Sequence, residues 1–368
     1  MERGLPPEPQ DPADGLSSPD PGEDLVYCAP QDLSVRRRRR GRGFTYHEPG
    51  GQVRDAAELG RIKALGVPPA WSDVWICAHP HGHLQAVGRD GKGRRQYVYH
   101  PRFRARQEET KYSQLAEFGA SLGRIRRRVD LDLKSRGLPK PKVLAAVVRL
   151  LDVTHIRIGN PAYARENGSF GLTTLLDRHA DISSRAVRFR FRGKSGRIWR
   201  ITLQDRRLAG VVRACQDLPG EQLFQYLDDD GAPQSVSSAD VNAYLRASAG
   251  SDVSAKAFRT WAGTVLAASE LSSLPPPHSM AQARRDLQAC ARTVSAALGN
   301  TPAVCRKCYI HPRIIELFEA GSLCETLAQA RRQARRNPQL DPMERTLLAL
   351  LRQEEAAAAE ARPGLSAA

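Results

Sequence analysis

The sequence predicts an α+β protein in which a small antiparallel β domain precedes a larger, mostly helical domain. From Gly43 to about Phe103, short strand-like runs alternate with turns. Beyond Phe103, apolar residues recur at helical spacing over most of the chain. The exception is the stretch from Val187 to Thr202, which predicts a β-hairpin inside the helical domain because apolar and basic residues alternate there.

In the first domain we predict one helix and several strands. The helix covers about Ala56 to Leu65, and Gly66 closes it shortly before Pro68. A loop that contains Asp90 and Gly91 suits a hairpin turn between two of the strands. The predicted strands are Val74 to Ala78, Leu84 to Gly88 and Gln96 to His100.

In the second domain, Val143, Val147 and Leu151 lie along one helical face, and Gly159 supplies a stop. This pattern places Arg157 in the last turn of that helix. Later helices are predicted around Ala239 to Ala247, Ala255 to Ser269, Met280 to Leu298 and Ile314 to Glu319.

Composition sets the expected boundaries. Residues 1–42 are predicted to be a disordered acidic and proline-rich tail, because they contain few large apolar groups. The tail ends in the arginine block Arg36 to Arg40, expected to be a solvated arm that attracts phosphates. The other predicted parts are a β domain over 43–104, a helical domain over 105–345, and a C-terminal helix and tail over 346–368.

The net charge of +16, with a pI near 9.9, predicts a polyanionic partner, and nucleic acid fits better than an anionic membrane. No apolar run approaches the roughly 18 to 20 residues that a membrane span needs. The N-terminus also lacks the apolar region of a signal peptide. We therefore expect a soluble, cytoplasmic protein that does not enter membranes.

The seven cysteines lack the spacing of a disulfide framework, so free thiols are expected. Cys305 and Cys308 form a Cys-x-x-Cys, but no second pair of suitable ligands follows it. A second group of metal-capable side chains is interrupted by Pro80 and Gly82, which predict a turn; it consists of Cys77, His79, His81 and His83. We predict no metal site and no cofactor.

Lys194 lies at the tip of the predicted hairpin, in Gly193-Lys194-Ser195-Gly196. A P-loop is excluded because the position five residues before Gly193 is Arg188 and not glycine. The lysine is therefore suited either to simple phosphate attraction or to delivering a proton to a leaving oxygen.

Four segments together resemble the active site of type IB DNA topoisomerases, of the compact, poxvirus-like bacterial kind. They are RIGNPAYARENGSFGLTTL with Arg157, FRGKSGR with Lys194, KAFRTW with Arg259, and NTPAVCRKCY from Asn300 to Tyr309. Two N-terminal segments, VPPAW and GRDGKGRRQYVYHPRFR, resemble the DNA clamp of the same family. The resemblance runs from about Gly43 to about Leu323.

The resemblance implies a role for each residue of this set. Tyr309 is the implied nucleophile and forms a 3′-phosphotyrosyl link, while Arg157 and Arg259 meet the charge on the phosphoryl oxygens. Lys194 resembles the general acid that protonates the departing 5′ oxygen. Asn300 stands where poxvirus enzymes commonly have histidine and implies a neutral donor. His311 is expected to point away, as a helical i+2 neighbour of the nucleophile.

The resemblance also implies a DNA-binding surface. Gln96, Tyr97 and Tyr99 match the clamp strand, and Tyr163 matches a DNA-contacting tyrosine. Packing in the sheet is the alternative for Tyr97 and Tyr99, which share one strand face. Phosphate contacts that position the protein are expected from Arg94, Arg95 and Arg102.

The implied function is ATP-independent and metal-independent relaxation of supercoiled DNA by a monomeric, nucleoid-associated enzyme that forms a C-shaped clamp around duplex DNA. A tyrosine recombinase is the nearest alternative, but it usually has histidine three residues before the second arginine, where this chain has Lys256. A non-catalytic DNA-binding protein would explain the charge but not the ordered catalytic set.

Overall fold

A computed structural model of the protein describes residues 24–360. The chain divides into two compact units between Lys111 and Tyr112. Residues 1–23, from the predicted N-terminal tail, and 361–368, from the predicted C-terminal helix and tail, lie outside the described residues. The predicted α+β class is confirmed: the first unit contains an antiparallel sheet and the second is mostly helical.

The first unit contains a six-stranded antiparallel sheet and one helix. The strand order is β3-β2-β1-β4-β5-β6. The elements are β1 (Val35–Arg40), β2 (Gly43–Glu48), β3 (Gly51–Gln52), α1 (Ala56–Ala64), β4 (Ser72–Ile76), β5 (Leu84–Arg89) and β6 (Arg95–Tyr99). The predicted helix and hairpin are confirmed, and Asp55 caps the start of α1 because its carboxylate accepts a hydrogen bond from the Glu58 amide.

The two faces of this sheet carry separate apolar clusters. The larger cluster contains Val35, Ile76 and Ala86, and Ile62 of α1 packs with them. A smaller cluster consists of Cys28, Leu33, Cys77 and Leu84. Alternate residues of β6 contact different clusters: Val98 packs on the larger one, and Tyr97 and Tyr99 pack on the smaller one. Period-2 alternation therefore assigns the two clusters to opposite faces.

The arginine block belongs to this sheet, so the prediction of a solvated arm is wrong. β1 pairs with β2 on one side and with β4 on the other. Val35 and Arg37 are buried. The Arg37 guanidinium donates to the carbonyl oxygens of Pro68 at 3.1 Å and Trp71 at 2.6 Å, so its charge is solvated by the backbone. The strand thus accommodates a run of like charges, because the guanidinium of the buried arginine forms hydrogen bonds with main-chain carbonyls.

The second unit combines helices with two small sheets around one large apolar core. Its sheets have the orders β7-β8-β9 and β10-β11. The strands are β7 (Ala180–Ile182), β8 (Ala186–Arg192), β9 (Ile198–Gln204), β10 (Gln225–Leu227) and β11 (Pro233–Ser235). Helix α2 (Pro101–Asp132) begins in the first unit and continues into the second. The other helices of the second unit are α3 (Lys140–Thr154), α4 (Pro161–Asn167), α5 (Arg206–Gln216), α6 (Ser238–Ala249), α7 (Ala255–Ser272), α8 (Met280–Leu298), α9 (Pro302–Cys308), α10 (Pro312–Glu319), α11 (Leu323–Gln333) and α12 (Pro342–Glu360).

The predicted hairpin is confirmed as β8 and β9, and the later helices appear as α6, α7, α8 and α10. The end of α3 differs from the prediction. The helix stops at Thr154, and His155 caps it in the left-handed region at φ 55°. Arg157 therefore lies in the segment after the helix and not in its last turn. None of the helices in the described range is both long and apolar enough to cross a membrane.

A buried ion network joins four helices of this unit. Arg126 of α2 donates to Asp152 of α3 at 2.8 Å and to Glu344 of α12 at 2.7 Å. Glu344 also accepts from the indole of Trp261 on α7 at 3.0 Å. Burial of Glu344 opposes its charge, but Arg126 outweighs that effect and holds the glutamate pKa below its usual value.

Replacing the central cation should destabilise the protein strongly. Arg126→Met leaves the buried Glu344 and the largely buried Asp152 without their cation, which costs about 3 to 5 kcal/mol of unfolding free energy. Urea unfolding at neutral pH measures this loss. Because the folded pKa of Glu344 is lowered, its stabilisation is present above the usual glutamate pKa and disappears as pH falls through the folded pKa. The difference in unfolding free energy between the wild type and Arg126→Met should therefore become smaller in acid.

Arg188→Met is the matched control, since the Arg188–Asp181 pair is exposed at 3.2 Å. Such a surface pair contributes about 1 kcal/mol or less. Equal losses in the two variants would contradict a structural role for the buried network.

Candidate active site

Tyr309 directly follows α9 and is held by its backbone. Its amide donates to the Cys305 carbonyl at 2.9 Å, and its own carbonyl accepts from the Thr264 hydroxyl of α7 at 3.3 Å. Gly263 makes this close approach possible, because a Cβ atom there would lie 2.5 Å from the Tyr309 carbonyl oxygen. The tyrosine is therefore fixed against α7 at the main chain, and its ring projects from that contact.

Arg259, one turn earlier on α7, lies beside the Tyr309 ring. Its side chain is buried, and its guanidinium carbon is 5.0 Å from the ring centroid. The two Nη atoms donate to main-chain carbonyls at the ends of helices, those of His155 and Leu298. The remaining donor, Nε, is buried without a hydrogen-bond partner among the described residues.

Arg157 and Asn300 complete the group around Tyr309. Arg157 donates through Nη2 to the side-chain oxygen of Asn300. Asn300 follows Gly299, which ends α8 in the left-handed region at φ +66°. Since its Oδ1 faces Arg157, the Asn300 amide presents Nδ2 as a donor, and this atom is buried without a partner in the described part of the chain.

Electrostatics favour an anion at this place. Burial opposes ionisation of Tyr309, but Arg259, Arg157 and the Asn300 amide outweigh it and lower the pKa of the phenol below its usual value. Burial, and then the neighbouring Arg259, lower the pKa of Arg157 as well. Two cations and an unpaired amide donor thus surround one hydroxyl, which is an arrangement suited to negatively charged oxygens.

Lys194 is exposed at the tip of the β8–β9 hairpin, in a short turn where Ser195 adopts φ 62°. Its ammonium nitrogen lies 5.9 Å from the centroid of the Tyr163 ring on α4, and Tyr163 itself is 44% exposed. The structure therefore brings together two more of the predicted residues, at an accessible edge of the same unit.

The start of β9, at the tip end of the hairpin, is bound to the end of α8. Arg197 donates to the carbonyls of Ser295 at 3.3 Å and Ala296 at 3.0 Å, a favourable place for a cation because α8 ends there. Trp199 packs so closely on Gly299 that a Cβ atom there would lie 2.3 Å from the indole. These contacts connect the strand after Lys194 to the turn before Asn300.

The reason given for His311 was wrong, and sequence reasoning missed Tyr112. The chain leaves α9 at Tyr309, so His311 is not a helical i+2 neighbour but the N-cap of α10. Its ring meets the edge of the Tyr112 ring at 5.0 Å. The Tyr112 hydroxyl donates to the carbonyls of Lys307 and Ile310, both at 3.1 Å, and so brackets the main chain on either side of Tyr309.

The predicted DNA-binding residues of the first unit lie on and beside β6. Arg94 and Gln96 both donate to Asp90, at 2.8 and 3.0 Å, and the hydrogen bonds from Arg94 are the main cause that lowers the Asp90 pKa to about 2. The rings of Tyr97 and Tyr99 stack on one face at 6.1 Å. Both tyrosines are half-buried, so they pack against the small cluster and still leave part of each ring accessible.

Of the other predicted arginines, Arg95 lies opposite Arg89 on β5. Nη1 of the exposed Arg102 is 3.7 Å from Oδ2 of Asp24.

In the metal-capable group, Cys77 contacts Cys28 through their sulfur atoms at 3.5 Å, and His83 accepts from the Cys28 amide at 3.0 Å. Residues 24–360 contain no group of three or more His, Cys, Asp or Glu side chains arranged to hold a metal ion.

Comparison with known proteins gives two family matches. The family described as eukaryotic DNA topoisomerase I, catalytic core, matches residues 100–336, and the family described as bacterial DNA topoisomerase IB, N-terminal domain, matches residues 43–90. DNA topoisomerase 1B of Acanthamoeba polyphaga mimivirus is 27% identical over 293 residues, covering 77% of this chain and 87% of the relative. DNA topoisomerase 1B of Vaccinia virus (strain Western Reserve) is 21% identical over 249 residues, covering 66% of this chain and 75% of the relative.

The phenol of Tyr309 should ionise at a lower pH than an ordinary tyrosine, because Arg259, Arg157 and Asn300 together outweigh burial. The near-ultraviolet titration difference between the wild type and Tyr309→Phe isolates this group. Tyr244 is the comparison, because burial raises its pKa. The titration difference between the wild type and Tyr244→Phe should therefore appear at higher pH. A Tyr309 transition at or above the usual tyrosine pKa would contradict the electrostatics described for the site.

Proposed function

This chain belongs to the type IB DNA topoisomerase family, and we propose that it relaxes supercoiled DNA by cutting and resealing one strand through a covalent link to Tyr309. Membership makes it a DNA topoisomerase, an isomerase that acts on DNA. One observation carries the finer proposal: two buried donors without partners in the described residues, Arg259 Nε and Asn300 Nδ2, accompany Arg157 around the Tyr309 hydroxyl.

The proposed cleavage step is an in-line attack by the Tyr309 oxygen on the phosphorus of a phosphodiester. The oxygen attacks as the phenolate that the lowered pKa favours, after the phenol proton has passed to water. The new bond joins this oxygen to phosphorus as the bond to the 5′ oxygen breaks. Negative charge grows on the non-bridging oxygens, and the guanidiniums of Arg157 and Arg259 supply permanently charged donors to meet it. The Asn300 amide adds a neutral donor, and loss of one such donor typically costs about a hundredfold to a thousandfold in rate.

Lys194 is the proposed general acid. The departing 5′ oxygen needs a proton, and an exposed ammonium on a hairpin beside Tyr163 is accessible to a bound DNA strand. In resealing, the same group takes the proton back from the 5′ hydroxyl as that oxygen attacks the phosphotyrosine. Because the covalent link preserves the phosphodiester energy, the cycle needs no ATP, and the arginines supply the charge that a metal ion provides in other phosphoryl-transfer enzymes.

DNA binding is proposed to use the surfaces implied by the family resemblance. In the second unit, Tyr163 lies next to the acid. In the first unit, the proposed contacts come from β6 and its preceding turn: Arg94, Arg95, Gln96, Tyr97 and Tyr99. The match of residues 43–90 to a bacterial topoisomerase IB domain favours relaxation over the recombinase alternative. The protein is proposed to act as a monomer on nucleoid DNA.

Supercoiled plasmid incubated with the protein in EDTA and without ATP should be relaxed, whatever the sign of its supercoils. Tyr309→Phe should abolish relaxation, because the nucleophilic oxygen is lost, while DNA binding survives. Agarose gel electrophoresis measures the first outcome and a mobility-shift assay the second. Undiminished relaxation by the variant, or recombinant products from the wild type, would refute the proposal.

Lys194→Ala should slow cleavage of an ordinary phosphodiester by roughly a hundredfold to ten-thousandfold, the usual contribution of a general acid. A substrate with sulfur at the 5′ bridging position should be cleaved at nearly the wild-type rate, because a thiolate leaves without a proton. Single-turnover cleavage of matched oligonucleotides measures both rates. If the variant is slowed equally on the two substrates, Lys194 is not the acid.

A further inference from the structure

Strand β1 presents three exposed arginines on one face of the sheet. Its side chains alternate, so Arg36, Arg38 and Arg40 point to one side, and Arg37 and Arg39 point to the other. Arg37 is buried with its guanidinium bound to main-chain carbonyls, which gives it a structural role. Arg39 is exposed like Arg38, but on the opposite face.

The strand register relates these arginines to β6. Arg36 lies directly opposite Trp75 of β4, Trp75 lies opposite Val87 of β5, and Val87 lies opposite Tyr97 of β6. Residues opposite each other in paired strands share a face. The three β1 arginines therefore lie on the same face as Tyr97 and Tyr99. The half of this face near β6 is packed against the small cluster of Cys28, Leu33, Cys77 and Leu84.

The half of the face near β1 is open and strongly basic. Trp75 is 40% exposed, and the Arg36 guanidinium lies 5.5 Å from its ring centroid. Among the described residues, no carboxylate forms an ion pair with Arg36, Arg38 or Arg40. Exposed guanidiniums around an aromatic ring are a surface suited to a phosphate backbone.

The dimensions fit one DNA duplex. Three strand spacings separate β1 from β6, which amounts to about 14 Å at roughly 4.8 Å per step. The major groove is about 12 Å wide. A duplex whose groove faces Tyr97 would thus bring a phosphate strand bordering that groove within reach of the long β1 side chains.

We propose that Arg36, Arg38 and Arg40, together with Trp75, form a phosphate-binding surface that extends DNA contact from β6 across the sheet to β1. The proposal rests on the proposed function, because it takes β6 to face the same duplex. The contacts are to phosphates and are therefore independent of base sequence. They add affinity, and the base-facing contacts stay with β6.

Arg38→Gln and Arg39→Gln are the matched pair of variants. Each removes one positive charge from an exposed position of the same strand, and they differ in the face that loses it. The slope of log binding constant against log salt should fall by about 0.9 for a lost phosphate contact. We expect that fall in Arg38→Gln and an unchanged slope in Arg39→Gln, on several duplexes of different sequence. A thermal unfolding scan checks that both variants are folded.

Equal slopes for the two variants would overturn the proposal, since a general effect of net charge does not distinguish the two faces. A selective loss of binding to phosphatidylserine vesicles in Arg38→Gln, with the DNA slope unchanged, would overturn it in favour of a membrane surface. All binding is measured in the Tyr309→Phe background, so cleavage does not enter. If wild-type protein fails to relax plasmid while the slopes still differ, the proposed reaction fails and the phosphate-binding surface stands.

Discussion

The hydrogen bonding of the buried Arg259 guanidinium is the interaction on which the candidate active site depends. The guanidinium binds the carbonyls of His155 and Leu298, at the ends of α3 and α8. A buried cation is costly unless it is well solvated, and the carbonyls that end helices carry partial negative charge. The helix ends therefore stabilise the cation, and the cation fixes the helix ends. Arg157 follows His155 by two residues, and Asn300 follows Leu298 by two residues. The hydrogen bonds of Arg259 therefore help to fix the positions of both.

The parts of the fold that periodicity controls could be predicted from the sequence. The β8–β9 hairpin follows from the alternation of Phe189 and Phe191 with arginines, and long helices such as α8 follow from their apolar spacing. The end of α3 could not be predicted this way. The Thr154 hydroxyl bonds to the Leu150 carbonyl at 2.6 Å and His155 turns left-handed, which are local geometries that apolar spacing does not encode.

In the candidate site, too, some residues could be predicted from the sequence and others could not. Tyr309, Arg157, Lys194, Arg259 and Asn300 could be proposed because their order in the chain resembles a known set. The residues that position them could not, because their partners are distant in sequence: Tyr112 bonds to Lys307, which is 195 positions away. The arginine block shows another limit, since five consecutive identical residues hide the alternation that only neighbouring strands reveal.

The two donors without partners in the described residues, Arg259 Nε and Asn300 Nδ2, also bear on the stability of the free chain. An unpaired buried donor costs the fold about 1 to 3 kcal/mol, and a phosphate oxygen of DNA is the acceptor that would complete it. If the proposed reaction holds, the phosphate backbone of the substrate completes the hydrogen bonding of the protein core at this place. Under the proposed reaction, the free chain carries this cost and the complex with DNA recovers it.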